Sequence, residues 1–260
     1  MAAVHYFCNA IARKKYLKMD ESLKRELMAA ALRNETAAFI DTDPVRFPHR
    51  YSDRRDIEVS GFISAWMAYG SRRVFLGVLE KLHTLMDAAG GPYRFIVSHA
   101  WENLESDPNA CLYRFYKWSD YWMLCSRMAS AYETMDSMEE FFAGKNTLAE
   151  GVRSLCLFFE GVEGIPVPDS PSANKRFYMF LRWMVREDSP VDFGIWTSVT
   201  PSALVIPLDT HVYQIATRLG LTARRSADLK TAVEITRAMA QIWPDDPARG
   251  DFALYGTEVS

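Results

Sequence analysis

Apolar residues along most of the chain recur at intervals of three and four, the spacing that gathers them on one face of an α-helix, and no stretch alternates as a strand would. Residues 21–40 (ESLKRELMAAALRNETAAFI) predict a first helix, and the two prolines of the DTDPVRFPHRYSD segment predict an ordered connector after it. Asp53 is placed to cap the next helix, DRRDIEVSGFISAWMAYG, whose apolar stripe contains Ile57, Phe62, Ile63 and Trp66 and which Gly70 ends. SRRVFLGVLEKLHTLMDAA predicts a further helix that stops at Gly90-Gly91-Pro92, where glycine supplies a left-handed cap and proline forbids continuation.

Shorter helices are expected near 93–98, 117–132, 136–142 and 147–160, followed by the proline-rich GVEGIPVPDSP. Ser172 then precedes SANKRFYMFLRWMVRED, a helix with Phe177, Phe180, Leu181 and Met184 on one side. Asp209 opens THVYQIATRLGL, and helices near 226–242 and 247–256 close the chain. With no strand pair, repeat, low-complexity tract or linker, the expected fold is all-α. One compact domain over residues 1–260 is expected, with two helical lobes and a basic arm over residues 1–20 that carries RKKYLK.

Composition narrows the class. The chain has 260 residues, 49% apolar and 13% aromatic, enough to bury a substantial core, and it is read as a monomer. Cys8, Cys111, Cys125 and Cys156 lie far apart without a CxxC pair, so neither a zinc ribbon nor a disulfide framework is suggested, and a cytoplasmic protein without metal or cofactor is expected. No apolar run is long enough for a bilayer, so no membrane partner is expected. The net charge of −3 and pI near 6.0 weigh against indiscriminate polyanion binding, yet a DNA-binding surface needs only a local cationic footprint.

Two residues stand out chemically. Lys175 falls in the first turn of its helix, where exposed amides make the field positive; with Arg176 adjacent, that field would disfavour the ammonium and favour a nucleophilic amine. The alternative is an ordinary lysine on the polar side of an amphipathic helix. Asp209 follows an apolar run at a helix start, so capping accounts for it fully, while a carboxylate facing a cleft would stabilise a sugar cation or move protons. His211 has no second histidine at ligand spacing and reads as structural or phosphate-facing. Glu139-Glu140 and Asp245-Asp246 read as solvated pairs near helix ends, and of Phe177, Tyr178 and Trp183 one or two at most would be free to stack on a base.

The segment PLDTHVYQIATRLGL resembles the helix start that carries the catalytic aspartate in helix-hairpin-helix DNA glycosylases, and Asp209 falls on that position. SANKRFYMFLRWMV is similar to the second hairpin helix of the same superfamily, whose lysine is the Schiff-base nucleophile of bifunctional members; Lys175 falls there. EVSGFISAWMAYGSRRV resembles the early helix lining the DNA side, with Trp66 where a wedging glutamine often sits. DPVRFPHRYSDRRDIEVSGF, LYRFY, MFLRWMVRED with VDFGIW, and DPARGDFALYG resemble a bacterial family of unassigned function, over most of residues 40–256. Archaeal 8-oxoguanine glycosylases look similar in their long insertion between lysine and aspartate, here 34 positions (209 − 175).

The resemblance implies a two-lobed helix-hairpin-helix glycosylase-like fold, base excision from damaged double-stranded DNA with Lys175 and Asp209 as the reactive pair, and AP-lyase chemistry. It implies DNA or base contacts from Trp66, Arg176, Tyr178, Arg182, His211 and Arg218, with Arg224 and Arg225 as further cations. No iron–sulfur centre is implied, because the C-terminal four-cysteine cluster of one branch is absent. The usual glycine-rich hairpin is replaced by residues 162–174, whose only glycine is Gly164, and this together with the acidic pI favours the alternative of a non-catalytic protein binding nucleic acid or a nucleoside on the same scaffold.

Overall fold

The computed structural model describes residues 19–255, so the expected basic arm lies outside them except for Met19 and Asp20. Helices dominate the described residues: α1 (Glu21–Asn34), α2 (Ala37–Ile40), α3 (Arg54–Met67), α4 (Arg72–Ala88), α5 (Pro92–Val97), α6 (Trp118–Tyr132), α7 (Leu148–Phe158), α8 (Lys175–Val185), α9 (Thr210–Arg218), α10 (Leu229–Met239) and α11 (Gly250–Leu254). The apolar residues form one continuous core running from Met19 to Leu254. No helix among the described residues is long and apolar enough to cross a membrane.

Two helices make the centre. Every residue of α3 from Ile57 to Met67 and every residue of α8 from Phe177 to Val185 is buried, as expected of helices enclosed on all sides rather than lying at a surface. They pack closely at Gly61, where an added Cβ would stand 3.2 Å from Met184 Cε and 3.4 Å from Phe180. Asp53 caps α3 through Oδ1, which accepts from the amides of Arg55 and Asp56. Because α8 is held so firmly, its first residue, Lys175, is carried on a rigid element at the edge of the core.

The buried carboxylate of α3 is fully paired, although Ser64 Oγ on the same helix and Trp183 Nε1 on α8 find no hydrogen-bond partner among the described residues. Glu58 is fully buried on α3 and accepts four hydrogen bonds: Oε1 from Ser137 Oγ and Trp196 Nε1, both 2.6 Å, and Oε2 from Tyr132 Oη at 2.6 Å and the Met138 amide at 2.9 Å. Glu58→Gln keeps the shape but turns one acceptor into a donor facing donors. The expected loss is about 3 kcal/mol of unfolding free energy, read from chemical denaturation, and an unchanged midpoint would sink this account.

A second buried network joins distant parts of the chain. Arg186 binds both oxygens of Asp246 (2.8–3.0 Å), Glu35 at 2.7 Å and Asp192, while Arg182 bonds Asp192 at 3.3 Å and also Asp251. Arg249 pairs with the other oxygen of Glu35 at 2.8 Å.

The structure corrects several sequence expectations. The helix expected over residues 21–40 breaks after Asn34, because Glu35 leaves helical geometry (ψ 75°) and turns its carboxylate inward to Arg186 and Arg249. Residues 136–142 form a 3-10 turn, Met138–Phe141, and the final helix is a 3-10 turn at Pro247–Arg249 followed by α11. A strand pair does exist: β1 (Cys111–Tyr113) and β2 (Tyr116–Lys117) form an antiparallel hairpin too short to display alternation. Glu139 and Asp246, expected in solvent, are structural instead. Glu139 accepts from the Thr197 and Ser198 amides and pairs with Arg54, and Asp246 binds Arg186.

Candidate functional site

Two helix starts converge on one spot. Lys175 begins α8 after Asn174, which holds a left-handed backbone (φ 48°, ψ 38°) and supplies no side-chain cap. Asp209 precedes α9 in an extended conformation and uses its two oxygens separately. Oδ1 accepts from the Val212 amide at 2.8 Å, the N-cap bond, and Oδ2 lies 2.9 Å from Lys175 Nζ. The capping and pairing roles therefore coexist. The pair sits at the surface, with 38% of the Lys175 side chain and 35% of the Asp209 side chain exposed, so a substrate atom can approach both. Burial works to raise the Asp209 pKa, but the Lys175 ammonium and the Val212 amide outweigh it and hold the carboxyl below the usual range, ionised at neutral pH.

A second set of charges acts on the pair, and nothing in one dimension groups them. Asp43 caps the turn Pro44–Arg46 from a buried position, and Asp251, in the first turn of α11, is bonded to Arg182. Both carboxyls feel Arg182 and Lys175, and Asp251 also feels Asp209 and Asp43. Arg72, which donates to Tyr255 Oη at 3.0 Å, acts in turn on Asp43 and Asp209. Three acidic groups and three cations, drawn from five segments with Lys175 and Arg182 both on α8, thus share one field.

Desolvation raises the Asp251 pKa to about 6, against the pull of Arg182 and Lys175 and with help from Asp209 and Asp43. The folded chain therefore holds this proton at pH values where the unfolded chain, near the ordinary 3.8, has released it. The stabilisation it brings is complete below about pH 4 and is lost as pH rises through about 6. The Asp251 carboxyl carbon is expected to titrate with a midpoint about 6 by NMR; a midpoint at or below 4 would refute this electrostatic picture.

A family model described as a protein of unknown function (DUF2400) matches residues 43–260. The chain belongs to that family. No curated protein and no solved structure matches it. The match spans Asp43, Arg72, Lys175, Asp209 and Asp251, so all five lie within the DUF2400 region.

In this DUF2400 chain the other sequence candidates divide sharply. His211 is exposed beside Asp209 and its charge acts on that carboxyl, and Arg218 is exposed farther along α9 in a shallow concavity with Tyr213, Gln214 and Thr217. Trp66 is buried, its ring 4.3 Å from that of Tyr116 and its Nε1 donating to the Glu163 carbonyl at 2.8 Å, so it cannot act as a duplex wedge in this conformation. Tyr178 is sealed in the core, where burial pushes its hydroxyl up to about 12, and Arg182 is consumed by Asp192 and Asp251. Neither offers a surface to a base or a phosphate.

Arg176 is half-buried and binds protein: it donates to the carbonyls of Trp66 (2.6 Å) and Gly164 (2.7 Å) and to Tyr116 Oη. It positions what surrounds Lys175. Arg224 pairs with Asp228 at 2.7 Å, whereas Arg225 is exposed. Asp43, Asp251 and Arg72 were missed because an aspartate before Pro44, an aspartate in a short helix and an arginine after Ser71 carry no one-dimensional signal. Among the described residues no group of three or more His, Cys, Asp or Glu side chains is arranged to hold a metal ion, and Cys111, Cys125 and Cys156 are free thiols.

Proposed function

We propose that this protein is a DNA glycosylase with AP-lyase activity, built on a helix-hairpin-helix scaffold and acting on a damaged base, with an oxidised purine as the lesion class to test first. The observation that carries the reading is the 2.9 Å contact of Lys175 Nζ with Asp209 Oδ2, between residues 34 positions apart that independently match the nucleophile and carboxylate positions of that superfamily. An amine and an ionised carboxylate at one partly open point are the two groups that displacement at a sugar C1′ requires.

In this reaction the flipped nucleotide presents C1′ to Lys175. The ammonium first releases a proton; the amine then bonds to C1′ as the glycosidic C–N bond breaks, and the base leaves with the bonding electrons and takes up a proton. The sugar ring opens to a protonated imine, loss of a C2′ proton expels the 3′ phosphate, and water returns Lys175 as the free amine. Asp209 serves as the fixed negative charge facing the cationic sugar, the role that suits a carboxyl held low. Its lowered pKa makes it a weak acceptor for the lysine proton, which passes to water at the exposed side of the pair.

Borohydride trapping with duplexes carrying 8-oxoguanine, uracil or an abasic site tests the reading. A covalent protein–DNA adduct on the abasic duplex at minimum is the expected result, and no adduct on any of the three overturns the lyase chemistry. Retained duplex binding in that case would leave the non-catalytic alternative standing.

A further inference from the structure

Tyr69 and Phe115 are the aromatic members of the exposed large apolar side chains, at 45% and 47% exposure, and they lie together: their ring centroids are 5.4 Å apart, edge to face. Tyr69 follows α3, and Phe115 is at the tip of the β1–β2 hairpin. Arg114 lies against this pair, exposed, with its guanidinium carbon 5.1 Å from the centre of the Tyr69 ring and with no carboxylate partner among the described residues. Leaving two rings in water forgoes the burial that drives the rest of the fold.

The cluster is also held by backbone that chains otherwise avoid. Arg114 takes a left-handed conformation (φ 56°), unfavourable for a side chain that cannot bond to its own backbone. Gly70 has φ +80°, a backbone conformation that a residue with a Cβ adopts only under strain, and it packs against Arg114 and Tyr113. Tyr113 Oη donates to the Tyr69 carbonyl at 2.5 Å, and Arg176 ties the end of α3 to Tyr116 while its guanidinium lies 5.9 Å from the Tyr69 ring.

This turn is tied to the segments that carry the reactive pair. Arg176 is the neighbour of Lys175, and Arg72, three residues after Tyr69, acts on Asp209. We propose that Tyr69, Arg114 and Phe115 form a stacking platform for an unpaired nucleobase of the DNA held at the Lys175–Asp209 pair, with Arg114 meeting the adjoining phosphate. The proposal rests on the glycosylase reading and deepens it. An unpaired base offers the flat π face that exposed rings accept without sequence preference, and the flanking phosphate complements an arginine with no acidic partner.

The test uses the full chain and a duplex with a stable abasic-site analogue opposite 2-aminopurine. Binding is expected to change the 2-aminopurine fluorescence, and Tyr69→Ala combined with Phe115→Ala to remove that change and weaken binding at least about 10-fold, with Tyr69→Phe restoring most of both. Arg114→Gly, which suits the left-handed backbone, is expected to weaken binding and flatten its salt dependence. Melting curves serve as the folding control. A wild-type chain that traps on an abasic duplex while the double variant, or Arg114→Gly where the double variant does not fold, binds and reports like wild type overturns the platform and spares the glycosylase reading. A wild-type chain that neither binds nor traps any duplex overturns both.

Discussion

Lys175→Ala is expected to reduce the rate of borohydride-trapped adduct formation at least about 1,000-fold, the equivalent of about 4 kcal/mol of activation free energy. The variant should keep its fold, since a pair with more than a third of the lysine exposed contributes at most about 1 kcal/mol and the Asp209 cap to Val212 remains. A large loss of trapping with a melting temperature near wild type is therefore the signature of chemistry rather than unfolding. Asp209→Asn complements it: the amide oxygen can still cap α9, but the charge facing the sugar is gone, and about a 100-fold slower reaction is expected. An adduct of undiminished rate in Lys175→Ala would assign the nucleophile elsewhere and remove the central residue of the mechanism.

Arg186→Leu is expected to be the most damaging single change in the described fold. It strips Asp246, Asp192 and Glu35 of a shared guanidinium, and Asp192 and Glu35 are themselves buried. Breaking a buried network from one side typically costs about 3–5 kcal/mol, because carboxylates are left desolvated and short of donors. For a chain of this size that corresponds to a fall in melting temperature of about 6–20 °C. Arg186→Lys should recover only part of the loss, since one ammonium cannot serve three carboxylates in a planar fork. A melting temperature within about 2 °C of wild type for Arg186→Leu would show that the network is dispensable.

These two residues illustrate what one dimension reveals. Lys175 was legible because its helix starts where a proline-rich segment ends, and Asp209 because it stands between an apolar run and a helical pattern. Most helices were legible from their three-and-four spacing, and α3 and α8, buried along most of their length, carry apolar residues on more than one face. Arg182 reads in the sequence as a solvated or DNA-facing cation and Arg186 carries no signal at all, since a paired, buried arginine is spelled the same as a free one. Only the return of residues 192, 246 and 251 to α8 shows their partners. Trp66 continues the apolar stripe inward, whereas Tyr69 lies beyond the helix end, where the 3.6-residue period no longer says which way a side chain points. The β1–β2 hairpin is shorter than any pattern that could announce it.

The break in the first helix has a consequence for how the chain is made. Asn34 Nδ2 donates to the carbonyl of Phe252, 218 positions away, and Glu35 waits for Arg186 and Arg249. At about 5–20 residues per second, a ribosome needs about 10–40 s to supply those partners after α1 has been synthesised. For that interval Glu35 faces water and the apolar side of α1 has nothing from the C-terminal segment to cover it. A nascent chain arrested before residue 246 is expected to leave α1 open to protease, because α11 is the element that packs on α1.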